Sequence, residues 1–149
     1  KETEGRPEVR AQIRKKQREM SMGRMMDAVA EADVIITNPE HFSIALNYDP
    51  SQDDAPTVVA KGGDLVAFAI RERAEEENVP LFASPVLARA LYFTTEVNES
   101  VPESLYYAVA QVIAYVFSLS TFEAGGAGIR RPNPEVPKDM RFDSNGELQ

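Results

Sequence analysis

Hydrophobic and polar residues alternate along the middle of the chain with the two-residue period of strands. The β-branched run Asp33–Thr37 and the alternating residues Phe42–Asn47 predict two strands separated by an Asn-Pro turn. Short apolar runs at Thr57–Lys61 and 80–83 predict two more strands. We therefore expect a sheet of about four strands.

Four other segments have the composition or the spacing of helices, at 7–30, 64–78, 86–92 and 102–119. The first has only a weak apolar stripe, so we expect it to be exposed or to depend on a partner. Asp64 is predicted to cap the second helix, after a Gly62-Gly63 turn. The residues of this helix predicted to face inward are Leu65, Val66, Ala69, Ile70 and Ala74.

These elements predict an α/β fold, with a small mixed sheet of about four strands flanked by helices. The third strand, second helix and fourth strand have the spacing of a βαβ unit. A long basic N-terminal helix precedes the sheet, and a disordered C-terminal tail rich in Gly, Pro and charge follows it. The predicted boundaries are 1–30 for the linker helix, 31–122 for the folded domain and 123–149 for the flexible tail.

The composition excludes several kinds of site. The 149 residues include no cysteine and one histidine. Disulfides, cysteine-ligated zinc, iron–sulfur clusters, thiol nucleophiles and paired-histidine metal sites are therefore excluded, and no cofactor is expected. The chain begins at Lys1 with no signal peptide before it, and we interpret it as a fragment of a longer protein.

The net charge of −8 is unevenly distributed along the chain. Residues 1–26 carry +4, and the remainder carries −12. Such a basic arm suits a solvated helix, an anionic membrane surface or an acidic partner. Nucleic acid is disfavoured, because the arm has no interleaved aromatic residues and the acidic body would repel phosphate. A position beside a membrane would suit the arm.

Asn38, Pro39, Glu40 and His41 lie between the first two predicted strands, as either an ordinary β-turn or a reactive site. In the common deamidation route, the backbone N–H of the next residue attacks the asparagine side chain. Pro39 has no N–H, so this route is closed. The amide nitrogen of Asn38 can instead attack its own main-chain carbonyl and break the Asn38–Pro39 bond. His41 is the candidate general acid–base. Glu40 either forms a hydrogen bond with the turn, adjusts the protonation equilibrium of His41 or is a solvated turn residue.

The glycine clusters are weak evidence for nucleotide or anion binding. Gly62-Gly63 is not followed by a phosphate-loop lysine, and Gly125–Gly128 lies in the predicted tail. A small anion- or nucleotide-binding α/β enzyme is therefore the least favoured alternative.

Five sequence blocks carry a resemblance to a known family. They are Asn38-Pro39-x-His41, Ala45-Leu46-x-Tyr48-Asp49, Ala55-Pro56-x-Val58-Val59-Ala60-Lys61-Gly62, Leu87-Ala88-Arg89-Ala90-Leu91-Tyr92 and Leu105-Tyr106-x-Ala108-Val109-Ala110. In this order they resemble the cytoplasmic domain of the FlhB/YscU family, the export-switch proteins of flagellar and type III secretion systems. The resemblance covers about residues 6–120, and the flagellar branch fits better than the injectisome branch.

The resemblance implies that the domain cleaves itself between Asn38 and Pro39, in a single turnover and not as a conventional enzyme. Cleavage would switch export from rod and hook subunits to filament subunits. Membrane helices would precede the chain and place it at the cytoplasmic face of the bacterial inner membrane, with 1–30 as a juxtamembrane linker. The implied partners are export-gate membrane proteins, the hook-length ruler and the exported subunits, without nucleic acid.

Two further expectations concern partner binding and the cleavage motif. A candidate patch for exported segments consists of Ala55, Pro56, Ala110 and Ile113. Glu40 stands where the family motif usually has threonine, and its carboxylate would favour the protonated form of His41. An uncleaved docking domain, in which Glu40 has disabled the chemistry, is therefore the second hypothesis.

Overall fold

The computed structural model describes residues 6–39, 41–123 and 130–149. Its helices are α1 (Pro7–Val29), α2 (Asp64–Glu76), α3 (Pro85–Thr94) and α4 (Tyr106–Glu123), with short 3-10 turns at Glu103–Leu105 and Lys138–Met140. Its strands are β1 (Val34–Asn38), β2 (Phe42–Asn47), β3 (Thr57–Gly63) and β4 (Leu81–Ala83). The predicted α/β fold with a four-stranded mixed sheet is thus confirmed. Within these ranges, no helix combines the length and the apolar character that crossing a membrane requires.

The sheet has the strand order β3-β2-β1-β4, which places β1 in its interior. β1 pairs antiparallel with β2 and parallel with β4, and β2 pairs antiparallel with β3. The edge strands β3 and β4 therefore run in the same direction, and α2 joins them across the full width of the sheet. The predicted βαβ unit exists, but its two strands are not neighbours.

Both faces of β1 are covered by helices, so all five of its residues are buried. Val34 and Ile36 join a core formed with α3 and α4, whereas Ile35 joins a second core formed with α1 and α2. Successive side chains of a strand point to opposite faces. The Asn38 side chain therefore lies on the same face as Val34 and Ile36, towards α3 and α4.

The start of α2 differs from its prediction. Gly62 and Gly63 belong to β3, and Asp64 is the first helical residue, with a φ of 51° and no side-chain cap upstream of it. The buried residues of α2 are Ala67, Ile70 and Ala74. Leu65 is 85% exposed, so its inward prediction was wrong. Two residues are about 200° apart around a helix, so Leu65 lies opposite the stripe that begins at Ala67.

The C-terminal residues 130–149 also differ from the predicted disordered tail. They form little regular structure, yet Val136 is buried in the core beneath α3 and α4. Arg131 Nη2 donates to the Ala83 carbonyl oxygen at 2.7 Å, and Arg89 Nε donates to the Phe142 carbonyl oxygen at 2.6 Å. Gly and Pro content disfavours helices and strands but does not prevent packing. Residues 124–129 of the predicted tail lie outside the described ranges.

Gly62→Ala is expected to destabilise the domain by about 1–3 kcal/mol, because overpacking forces neighbouring atoms apart. A Cβ at this position would lie 2.6 Å from the Cβ of Val66 on α2. Gly63→Ala is the matched control, since its Cβ would come no closer than 3.4 Å to the Phe42 ring. Urea unfolding measures both variants, and equal midpoints would contradict the close approach of β3 and α2.

Candidate functional site

The Asn-Pro segment forms the tight connection between the two interior strands. β1 ends at Asn38 and β2 begins at Phe42, and these two residues face each other in the antiparallel register. Pro39 and His41 lie in the turn and are exposed, whereas Asn38 remains 6% exposed. The segment therefore presents an accessible peptide bond directly after a buried strand residue.

Main-chain hydrogen bonds hold Asn38 from both sides. The His41 N–H donates to the Asn38 carbonyl oxygen at 2.9 Å, which closes the turn. The Ser84 N–H, at the start of α3, donates to the Thr37 carbonyl oxygen at 2.9 Å. The first bond also polarises the carbonyl of the Asn38–Pro39 peptide, because a donor at this oxygen stabilises negative charge that develops there.

The side-chain amide of Asn38 is buried, and its Nδ2 has no hydrogen-bond partner among the described residues. Buried polar groups of folded proteins are nearly always paired, and leaving one unpaired costs about 1–3 kcal/mol. No hydrogen bond to the described residues therefore occupies the nitrogen that would attack the Asn38 carbonyl.

The imidazole of His41 contributes less to the structure than the main chain of the same residue. His41 is exposed, and its ring centroid lies 6.5 Å from that of Phe42 at an interplanar angle of 52°. An exposed imidazole can exchange protons with solvent, as a general acid–base must. Glu40 lies outside the described residues, so its effect on His41 stays a prediction.

An aromatic cluster supports the turn from the α3 side of the sheet. The Phe42 ring stacks on Tyr92 with centroids 4.2 Å apart, and Phe93 meets Phe42 edge-on at 5.4 Å. Lys61 Nζ donates to the Tyr92 carbonyl oxygen at 2.8 Å and lies 5.0 Å from the centroid of its ring. These contacts fix Phe42, the residue directly across from Asn38.

The candidate partner patch is brought together by the fold. Pro56, Ala110 and Ile113 line one groove of about 320 Å³ between α4 and the loop before β3, while Ala55 is buried beside Pro56. The other apolar lining residues are Tyr48, Pro50, Tyr106, Ala114 and Phe117. A groove of this size and apolar character suits a few hydrophobic side chains of a peptide.

The loop at one end of the groove is ordered by Asp49. The Asp49 carboxylate accepts hydrogen bonds from the Ser51 hydroxyl at 2.7 Å and from the Ser51 N–H at 3.0 Å. These bonds to Ser51 lower the pKa of Asp49 below its usual value, because they favour the charged form. Pro50, which lines the groove, therefore lies between Asp49 and Ser51, which are hydrogen-bonded to each other.

The basic arm is the exposed part of α1. Residues 6–24 of the chain are almost wholly exposed, whereas Val29 is buried and Met25 and Met26 pack against the sheet. The basic residues of 6–24 thus project from the domain on a helix that packs on the sheet through its last turns.

The sequence did not indicate that Tyr92 packs on Phe42, that Lys61 binds Tyr92 or that Asp64 binds the turn. Lys61 and Tyr92 belong to blocks that carried the family resemblance, but no local pattern connects them with Asn38. Asp64 was assigned to a helix cap, although its N–H donates to the His41 carbonyl oxygen at 2.9 Å. Strand pairing and the crossover helix bring these contacts about, and sequence spacing does not reveal them.

Comparison with known proteins places this arrangement in a family. The profile of the FlhB HrpN YscU SpaS Family matches residues 1–116. The chain belongs to this family. The resemblance found in the sequence blocks is therefore confirmed.

Relatives in the FlhB HrpN YscU SpaS Family include two flagellar proteins. The flagellar biosynthetic protein FlhB of Salmonella typhimurium is 48% identical over 145 residues, which cover 95% of this chain and 38% of that protein. FlhB of Bacillus subtilis is 48% identical over 117 residues, which cover 78% of this chain and 32% of that protein. The chain thus spans about a third of the length of these relatives.

Solved structures of the same family share the fold. The crystal structure of the cytoplasmic domain of FlhB from Shewanella putrefaciens has a TM-score of 0.77 and 46% identity, and covers 81% of this chain and 95% of that one. A mutated EscU C-terminal domain has a TM-score of 0.59 and 30% identity, and covers 61% of this chain and 91% of that one.

Proposed function

We propose that the domain cleaves its own Asn38–Pro39 bond by cyclisation of Asn38. One observation on Asn38 supports this proposal. Its Nδ2 is buried without a hydrogen-bond partner among the described residues, while its own main-chain carbonyl oxygen accepts a hydrogen bond from the His41 N–H at 2.9 Å. Nucleophile and electrophile belong to one residue, so the reaction needs only the correct rotamer. Holding reactants in such geometry contributes much of the rate of intramolecular reactions.

The reaction is a displacement at the Asn38 carbonyl carbon. Nδ2 loses a proton and forms a bond to this carbon, and the electron pair of the carbonyl moves to its oxygen. The Asn38–Pro39 bond then breaks, and the proline nitrogen takes up a proton. The products are residues 1–38 with a C-terminal succinimide and residues 39–149 with an N-terminal proline. No water is consumed until the succinimide hydrolyses.

Pro39 and His41 direct the reaction along this route. Pro39 has no N–H with which to attack the Asn38 side chain, so the competing deamidation is closed. The exposed His41 imidazole accepts the proton of Nδ2 or delivers one to the proline nitrogen, and solvent restores its protonation state. The His41 main chain stabilises the oxygen of the intermediate.

The two products are expected to remain together. Residues 1–38 include β1, which is buried on both faces and paired with β2 and β4. Its release would expose Val34, Ile35 and Ile36 to water, at a cost of roughly 1.5–3 kcal/mol for each side chain. Cleavage therefore changes the exposed turn without dissolving the domain.

In the cell, we infer that this change in the turn switches export from rod and hook subunits to filament subunits. The domain would belong to an integral protein of the bacterial inner membrane, with α1 as the basic linker on the cytoplasmic face. Its partners would be other membrane proteins of the export gate, the hook-length ruler and the exported subunits. The groove lined by Pro56, Ala110 and Ile113 would take apolar segments of exported chains.

An uncleaved docking domain is the second candidate function. The groove beside α4 favours it, because the groove lies on a different part of the fold from the turn and does not require cleavage. In this case Glu40 would prevent the chemistry and leave only partner binding.

Asn38→Ala is expected to abolish cleavage, because it removes the nucleophile. Intact mass spectrometry of the purified parent should show fragments 1–38 and 39–149, with masses that initially add up to that of the parent. Asn47→Ala is the matched control at the end of the neighbouring strand, and should still cleave. A parent that persists for days as one 16.5 kDa species would favour the docking domain instead.

His41→Ala is expected to slow cleavage by up to about 10²-fold without stopping it, the lower range of general acid–base effects. The nucleophile and the N–H that polarises the carbonyl both survive the substitution. Added imidazole should restore part of the rate, because the position is exposed. Gel electrophoresis of samples taken over time measures the cleavage rate. A rate equal to that of the parent would refute a role for the His41 side chain.

Ala110→Glu is expected to weaken binding of an apolar export segment by about tenfold or more, since it places a charge in the groove. Tyr107→Glu is the control, because Tyr107 is 76% exposed and lies outside the groove lining. Fluorescence anisotropy with a labelled peptide from the N-terminal segment of a rod or hook subunit compares the two. Equal loss in both variants would point to general repulsion by the acidic domain.

A further inference from the structure

The junction of β3 and α2 contacts the turn through one main-chain hydrogen bond. The Asp64 N–H donates to the His41 carbonyl oxygen at 2.9 Å. The N–H of the same histidine donates to the Asn38 carbonyl oxygen, also at 2.9 Å. Both main-chain groups of His41 are therefore hydrogen-bonded. Its carbonyl oxygen accepts from Asp64, and its N–H donates to the carbonyl oxygen of the Asn38–Pro39 bond.

The first residue of α2 has a main-chain conformation that few residue types adopt. Asp64 has a φ of 51°, which lies in the left-handed region that glycine, asparagine and aspartate tolerate best. Its side chain is exposed, and Gly63, which precedes it at the N-cap position, has no side chain that could cap the helix. The left-handed φ of Asp64 turns the chain from β3 into α2 directly after the peptide group whose N–H binds the His41 carbonyl oxygen.

A second contact fixes α2 against the strand that follows the turn. Ser43 is fully buried, and its Oγ donates to the Ala67 carbonyl oxygen on α2 at 3.0 Å. Gly62 allows the end of β3 to lie against Val66 of the same helix. The N-terminal turn of α2 is thus attached to β2 at Ser43 and to the Asn-Pro turn at His41.

We propose that Asp64 is a positioning residue for self-cleavage, because its left-handed conformation lets the chain turn into α2 while the Asp64 N–H keeps its bond to His41, and so keeps the His41 N–H on the scissile carbonyl. This inference rests on the proposed self-cleavage. It assigns a regulating position outside the Asn38–His41 segment, on the helix that crosses the sheet.

The residue preferences of such a position are opposite to those of an ordinary helix start. If Asp64 acts through its left-handed conformation, cleavage rates should follow the order Gly, Asn and Asp, then Ala, then Val. If it acts as a helical residue, Ala should be the best and Gly among the worst. If its negative charge matters at the helix N-terminus, Asn should be slower than Asp.

The test measures cleavage of Asp64→Gly, Asp64→Asn, Asp64→Ala and Asp64→Val by mass spectrometry over time. We expect Asp64→Gly and Asp64→Asn to cleave within about twofold of the parent rate. Asp64→Val should cleave at least fivefold more slowly, since a β-branched residue lowers the population with positive φ by about tenfold or more. Leu65→Val is the matched control, because it introduces the same residue one position later on an exposed helical surface. It should cleave at the parent rate.

A second measurement separates positioning from a general loss of stability. Amide hydrogen exchange is measured on Asn38→Ala, which cannot cleave, with and without Asp64→Val. Positioning predicts faster exchange of the His41 and Asp64 amides, with unchanged exchange of core amides such as that of Ile36. Uniformly faster exchange would overturn it in favour of a structural role. Should Asp64→Val not fold, Asp64→Ala replaces it in both experiments, with a rate below that of Asp64→Gly expected.

The outcomes for this inference and for the proposed function are distinct. An uncleaved parent would defeat the self-cleavage proposal itself. A parent that cleaves, an Asn38→Ala variant that does not, and an Asp64→Val variant at the parent rate would overturn only the role of Asp64. A rate for Asp64→Ala above that for Asp64→Gly would do the same.

Discussion

The hydrogen bond from the His41 N–H to the Asn38 carbonyl oxygen closes the turn between the two interior strands, and the proposed chemistry depends on it. It sets the direction of the Asn38 carbonyl while the sheet fixes the residue before it. The asparagine side chain then lies on a buried face without a partner among the described residues. A free turn of the same composition would not hold these groups together, because water would pair with the amide and the main chain would rotate.

The same arrangement explains how a broken chain can keep its fold. β1 is an interior strand, with β2 on one side, β4 on the other and helices over both faces. Its burial is a property of the sheet and does not depend on the covalent bond after Asn38. The turn is exposed and lies at the end of this strand, so a cut there alters a surface feature that partners can contact. The groove beside α4 lies on a different part of the fold from the turn.

Sequence patterns predicted those parts of the fold that local interactions determine. The β-branched run before Asn38 and the alternation after it predicted β1 and β2, because both reflect burial in a sheet. The Asn-Pro-x-His motif could be recognised as a candidate site because its residues are neighbours in the chain, and their catalytic roles stay predictions. The strand order, the hydrogen bond of Asp64 to the turn and the packing of Tyr92 on Phe42 could not be predicted, since they arise from strand pairing and from the crossover. Leu65 and the packed C-terminal residues were misjudged because apolar character and low helix propensity do not specify which surface a residue contacts.

The most direct test of the account is the oxygen content of the first-formed fragment 1–38 when a freshly refolded chain cleaves in water labelled with heavy oxygen. Cyclisation of Asn38 predicts that this fragment is at first a succinimide, which lacks one water relative to the free acid and carries no labelled oxygen. Labelled oxygen should enter only later, as the succinimide hydrolyses. A fragment that carries a labelled carboxylate from the earliest time points would show direct hydrolysis of the bond and would contradict the account.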